Sequence, residues 1–141
     1  MIGADGTAEK LCKNVENRPV EVCEMHIAYQ VVTLVSALLV TLSGIAKIRR
    51  DSRVVNVVHD IAGVPLSYFP LLAACEFAGA LGLVGGIWWP LIGIAAGIGL
   101  VLYFVGAVAS HLRVGDVKGC GPAAFMLGLA AGALTLRILT R

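Results

Sequence analysis

Four side chains in this sequence have the type and placement to do chemistry: Glu76, Lys47, His111 and Arg113. Glu76 is the most informative. It is the only charge in the run VPLSYFPLLAACEFAGALGLVGGIWW, from Val64 to Trp89. A carboxylate near the middle of a membrane-spanning helix costs about 2.5–3.5 kcal/mol to insert, so it faces a protein interior or a wet cavity and has a partner. Such a group can transfer a proton or anchor a polar head group. Lys47 and His111 end apolar runs and could tune Glu76 or stabilise developing charge. Each has a plainer reading. Glu76 could be a structural ion pair, Lys47 an interface anchor and Arg113 a topology signal. His111 gains weight from its motif, HLRVGD, which brings Arg113, Gly115 and Asp116 close behind it. Glu76, His111 and Lys47 are therefore the candidate catalytic residues, and Arg113, Tyr103 and Ser43 the candidate ligand-binding ones. Tyr103 lies two turns from His111 on the same face of its helix, where it lines a pocket or simply packs. Ser43 shares a face with Lys47.

The elements that must position these residues are membrane spans. The 141 residues are 58% hydrophobic and 14% charged, with a mean hydropathy of +0.88. A soluble domain needs far more charge. A net charge of +2 gives no argument for nucleic acid. At about 20 residues per span the chain holds four. The expected fold is all-α, an integral membrane four-helix bundle with spans over 27–46, 65–87, 91–110 and 123–139. The short turn Trp88-Trp89-Pro90 makes the second and third spans an antiparallel hairpin. Tyr29, Tyr68 and the tryptophan pair are expected interface anchors. Arg137 is expected to snorkel to the interface. Residues 111–122 read as a loop.

Residues 1–24 form a polar, net acidic tail, and 25–141 the membrane domain. Between the first two spans, IRRDSRVVNVVHDIAG is either a short interfacial helix, capped by Asp51 or Ser52, or an ordinary polar loop. Lys47, Arg49, Arg50, Arg53, Arg113 and Lys118 flank the first and third loops, which places those loops in the cytoplasm and both termini outside. Small residues recur at helix-contact spacing: Cys75, Gly79, Gly82 and Gly86 in span two, Gly93 and Gly97 in span three, Gly128 and Gly132 in span four. The four cysteines form no C-x-x-C, so no metal site is expected; Cys12 and Cys23 could form a disulfide if the tail is outside. No cofactor ligands are evident in the chain.

SGIAKI closing span one, GVP opening span two, CEFAGALGL within it and AVASHLRVGD closing span three resemble the DoxX-like family of small four-helix bacterial membrane proteins. The resemblance runs from about Ile27 to Leu139. It implies a multi-pass protein of the bacterial inner membrane and carries Lys47, Glu76, His111 and Arg113 across as the family-type polar positions. Members are linked to quinone-reducing sulfur oxidation, to complexes with redox-defence enzymes and to membrane-protein assembly. Three functions follow as expectations. The first is a membrane subunit of a redox system that binds a quinone, a lipid or another hydrophobic small molecule, with a redox protein partner docked on the basic first loop or a second copy as homodimer. The second is an intramembrane enzyme that uses Glu76 for acid–base isomerisation, cyclisation or epoxide opening of an isoprenoid or lipid-like substrate. The third is a membrane-protein assembly factor. Whether the protein is an enzyme stays open at this point.

Overall fold

In a bilayer every backbone N–H and C=O must find a partner within its own segment, so uninterrupted apolar runs become helices. The computed structural model describes residues 4–140, with side chains from residue 23 onward. Helix α1 runs Ala4–Ile48, and its Cys23–Ile48 portion is long and apolar enough to cross a membrane. A surface segment follows: α2 (Ser52–Val55) passes directly into a π-helical turn, Asn56–Ile61. After a 3-10 turn at Leu66–Tyr68 come α3 (Phe69–Gly85), α4 (Pro90–Arg113) and α5 (Val117–Leu139). Leu66–Gly85, α4 and α5 are also of spanning length and composition. Among the described residues there are no strands, and the fold is an all-α membrane bundle.

Helix α1 packs on α3 and α5, and α4 packs on the same two. The four spans therefore close an antiparallel ring in the order α1, α3, α4, α5. The buried positions explain the packing. On α3 they are Phe69, Ala73, Glu76, Ala80 and Leu83, and on α4 Gly93, Gly97, Leu100, Phe104 and His111. Steps of four and three keep one face turned to a neighbour.

Among α3, α4 and α5 the largest differences from the sequence expectation fall at three boundaries. Helix α3 starts at Phe69, later than 65, because Pro65 opens a 3-10 turn instead. Helix α4 continues through His111 to Arg113. Helix α5 starts at Val117, well before 123, because Asp116 caps it: its carboxylate accepts from Gly119 N at 3.0 Å. Pro122 is carried inside the helix in its second turn, where it removes the bond an N–H would give to the Lys118 carbonyl. What read as a loop over 111–122 is thus two helix ends and a tight turn at Gly115, whose φ of 72° glycine adopts freely.

Two side chains go inward where the sequence placed them at the interface. Tyr29 is 2% exposed and Arg137 is 6% exposed, with the guanidinium 5.0 Å above the Tyr29 ring centroid. The bundle offers Arg137 a π face in its own interior. Tyr68, Trp88 and Trp89 remain exposed. The Cys12–Cys23 pairing involves a side chain outside the described ones.

The glycines divide sharply. A Cβ on Gly79 would fall 2.5 Å from Leu100 Cδ2, and one on Gly82 would fall 2.6 Å from Ala96 Cβ. Gly86 meets the Gly93 backbone across the same α3–α4 contact. By contrast, a Cβ on Gly128 or Gly132 meets nothing within 4 Å, so this expected seam is not used inside the chain. Gly82→Leu should therefore destabilise the protein by about 1–3 kcal/mol through overpacking, whereas Gly128→Leu should be close to neutral in thermal unfolding of the monomer. A large loss at Gly128 with a change in oligomeric state would instead place a second copy there.

Candidate functional site

The inward face of α1 carries Tyr29, Thr33, Ser36, Val40, Ser43 and Lys47 at steps of four and three, and five of these six are polar. Its last two members meet α3. Lys47 Nζ donates to Glu76 Oε1 at 2.8 Å and to Ser43 Oγ at 2.8 Å, and Ser43 Oγ donates to the same Oε1 at 3.0 Å. Glu76 is 0% exposed and Lys47 8%. The late start of α3 makes this contact possible: Glu76 lies seven residues past Phe69, about 10 Å along the axis, within reach of a lysine at the end of α1. Burial strips water from both charges, and only close geometry with extra hydrogen bonds offsets that cost. Here one carboxylate oxygen takes two donors. The other, Oε2, has no hydrogen-bond partner. Tyr103 on α4 adjoins the Glu76 carboxylate.

A second pair lies at the α4–α5 turn. His111 is 6% exposed, and its Nδ1 is 3.1 Å from Asp116 Oδ2. Asp116 divides its carboxylate, Oδ2 toward the imidazole and Oδ1 toward the α5 backbone. A carboxylate partner on Nδ1 selects the tautomer whose proton sits there, which leaves Nε2 with a lone pair for a ligand. The carboxylate orients the ring, as orienting carboxylates do beside general bases.

Both pairs line one cavity of about 600 Å³. Leu72, Phe104, Ala107 and Met126 supply its apolar walls, and Val57 and Ile61 of the surface segment also line it. The segment read as either an interfacial helix or a loop is therefore helical. Asp51 caps it by accepting from Arg53 N at 3.0 Å, and its apolar residues line the cavity. Arg53 and Lys118 are exposed and also line the cavity.

The structure thus gathers Lys47, Glu76, Ser43, Tyr103 and His111 around one space. Arg113 does not join them: it is exposed and lines no part of the cavity. Two residues beyond His111, it lies about 200° around the helix. Sequence reasoning passed over Asp116 as a partner for His111, and Arg53 and Lys118 as cavity-lining residues. A signal for Asp116 was present. An Asp shortly after a helix-ending His-x-Arg-x-Gly is well placed both to cap the next helix and to fold back.

No curated protein and no solved structure matched the chain. The match to a family was with the DoxX-like family, over residues 31–133. That segment contains every cavity residue named above but neither Tyr29 nor Arg137. With most of its length matched, and with four helices of spanning length and composition, this multi-pass membrane protein belongs to the DoxX-like family.

Proposed function

We propose that the protein binds a quinone, or a small molecule of similar hydrophobicity, in this cavity, and serves as the membrane subunit of a redox system in the bacterial inner membrane. The observation that carries the reading is the meeting, in one apolar cavity, of Glu76 with a free carboxylate oxygen and His111 held by Asp116. A volume of about 600 Å³ suits a drug-sized ligand, and such pockets combine apolar walls with a few converging polar groups. A quinone exchanges protons at its ring oxygens when it is reduced and reoxidised. Glu76 and His111 are groups that can supply and accept them. Electrons would come from a cofactor-bearing partner protein, and Arg49, Arg50 and Arg53 on the first loop are the cations such a partner would dock on.

The His111–Asp116 pair also favours a second reading. An oriented imidazole beside an ion-paired carboxylate is the equipment of general acid–base catalysis. In this version the protein is itself an enzyme that isomerises, cyclises or opens an epoxide in an isoprenoid-like substrate, with Glu76 moving the proton.

Native mass spectrometry of gently purified wild type beside Glu76→Gln tests the common core of both readings. Wild type is expected to carry a hydrophobic small molecule that the variant loses by about tenfold or more, the scale of one charge-assisted hydrogen bond. The mass separates quinone from isoprenoid. Equal retention by both proteins, or no ligand in either, would return Glu76 to a structural role and favour an assembly factor.

A further inference from the structure

The bundle holds a second polar cluster at the end away from the cavity. We propose that Arg137, Tyr29 and Thr33 form a binding site for a phosphate oxyanion, supplied either by a phospholipid head group or by free phosphate.

Three observations converge on it. First, Arg137 is 6%, Tyr29 2% and Thr33 0% exposed, yet Arg137 Nε, Tyr29 Oη and Thr33 Oγ1 all lack a hydrogen-bond partner. Buried polar atoms in native proteins nearly always have partners, so three orphans, two of them one turn apart on α1 and the third over the Tyr29 ring on α5, call for a missing acceptor. Second, Arg137 carries a full charge. Among the described residues it makes no ion pair; only the Tyr29 ring, 5.0 Å away, compensates it. Cation–π contact leaves the Nε–H without an acceptor, and an ionisable residue inside a membrane bundle marks a site by default. Third, the depth is right. A Cβ on Gly93 would lie 3.3 Å from Tyr29 Oη and also against the Gly86 backbone. The cluster therefore sits level with the ends of α3 and α4, next to the exposed Trp88-Trp89 turn. Exposed tryptophans belong at head-group level, where phosphates are found.

The chemistry selects the ligand. A guanidinium presents several N–H donors in a fixed plane that matches a phosphate or carboxylate oxyanion. Two hydroxyls, one turn apart on α1, add donors that also fit a multi-oxygen anion. A neutral sugar head group would leave the cation uncompensated.

The test is thermal unfolding of the full chain in a phosphate-free maltoside detergent. Phosphatidylglycerol, a neutral diacyl glycolipid with the same chains, or inorganic phosphate is added. Wild type should be stabilised by phosphatidylglycerol and not by the glycolipid. Phosphate alone reproducing the effect would identify the free anion as the source; phosphate without effect would identify the lipid. Arg137→Gln should weaken the response by about tenfold or more in midpoint concentration, and Tyr29→Phe, which keeps the ring under the guanidinium, by about threefold to tenfold. Should Arg137→Gln fail to fold, Arg137→Lys, which keeps the charge but loses the fork, and Tyr29→Phe decide the matter. Equal stabilisation by glycolipid and phosphatidylglycerol, no response to any of the three additions, or an undiminished phosphate response in the folding variants, would overturn the proposal.

Discussion

Replacing Lys47 with methionine should cost the bundle about 3–5 kcal/mol, the usual penalty for stranding one member of a buried ion pair. Glu76 has no exposure to water, and its Oε2 already lacks a partner. Losing Lys47 would leave Ser43 as the sole donor to Oε1. The double variant Lys47→Met/Glu76→Gln should recover most of the loss, because no unpaired charge then remains. Reversible unfolding in mixed micelles measures the cycle. A coupling of more than about 1 kcal/mol between the two sites is expected, since residues in one hydrogen-bonded network are not additive. Additivity within about 0.5 kcal/mol would mean that Lys47 is an interface anchor whose contact with Glu76 contributes nothing.

Asp116→Asn separates two roles that one carboxylate plays. Asparagine caps helices about as well as aspartate, so the Gly119 N–H should keep its acceptor and stability should change by less than about 0.5 kcal/mol. The charge opposite His111 disappears, however, and the amide can present its N–H₂ to Nδ1 and reverse the tautomer. If the protein turns over the molecule held in the cavity, its rate should fall by about 10²–10⁴-fold, the usual contribution of a positioned acid or base, and His111→Asn should fall as far. Asp116→Ala should show the same loss together with about 1 kcal/mol of destabilisation from the missing cap. Wild-type turnover in Asp116→Asn, with a stability loss confined to Asp116→Ala, would reduce Asp116 to a helix cap.

Much of the site is legible in the order of the amino acids. Glu76 announces itself because a charge in an apolar run of membrane length is expensive and must be compensated. Lys47 and Ser43 are identified by spacing, since four residues bring them onto one helical face. The α3–α4 glycine contact can be read from the small residues flanking a three-residue turn. Arg113 shows the limit of motif reading. It stands beside His111 in sequence, but two positions on a helix point nearly opposite ways, and the motif alone does not reveal that His111 is still helical. Asp116 shows the complementary limit: its value comes from a chain reversal at Gly115 that brings a carboxylate back to a ring five residues behind it. The sequence places Arg137 at the interface because it lies near the end of its span, where a long cation can snorkel. The interior π face of Tyr29 belongs to the other end of the molecule's sequence, and nothing local to Arg137 signals it.

By itself the sequence determined the membrane class, the four spans, the all-helical bundle and the one charge set within the second span, because hydropathy and helical periodicity accumulate along the chain and need no knowledge of neighbours. Only the tertiary structure decided which polar groups meet. The Lys47–Glu76 contact joins residues 29 apart, and it depends on where α3 begins and how its face is turned toward α1. Register and rotation between helices are set by side-chain packing across the ring, the glycine contacts between α3 and α4 among them. A shift of one residue in α3 would turn Glu76 by about 100°, away from Lys47.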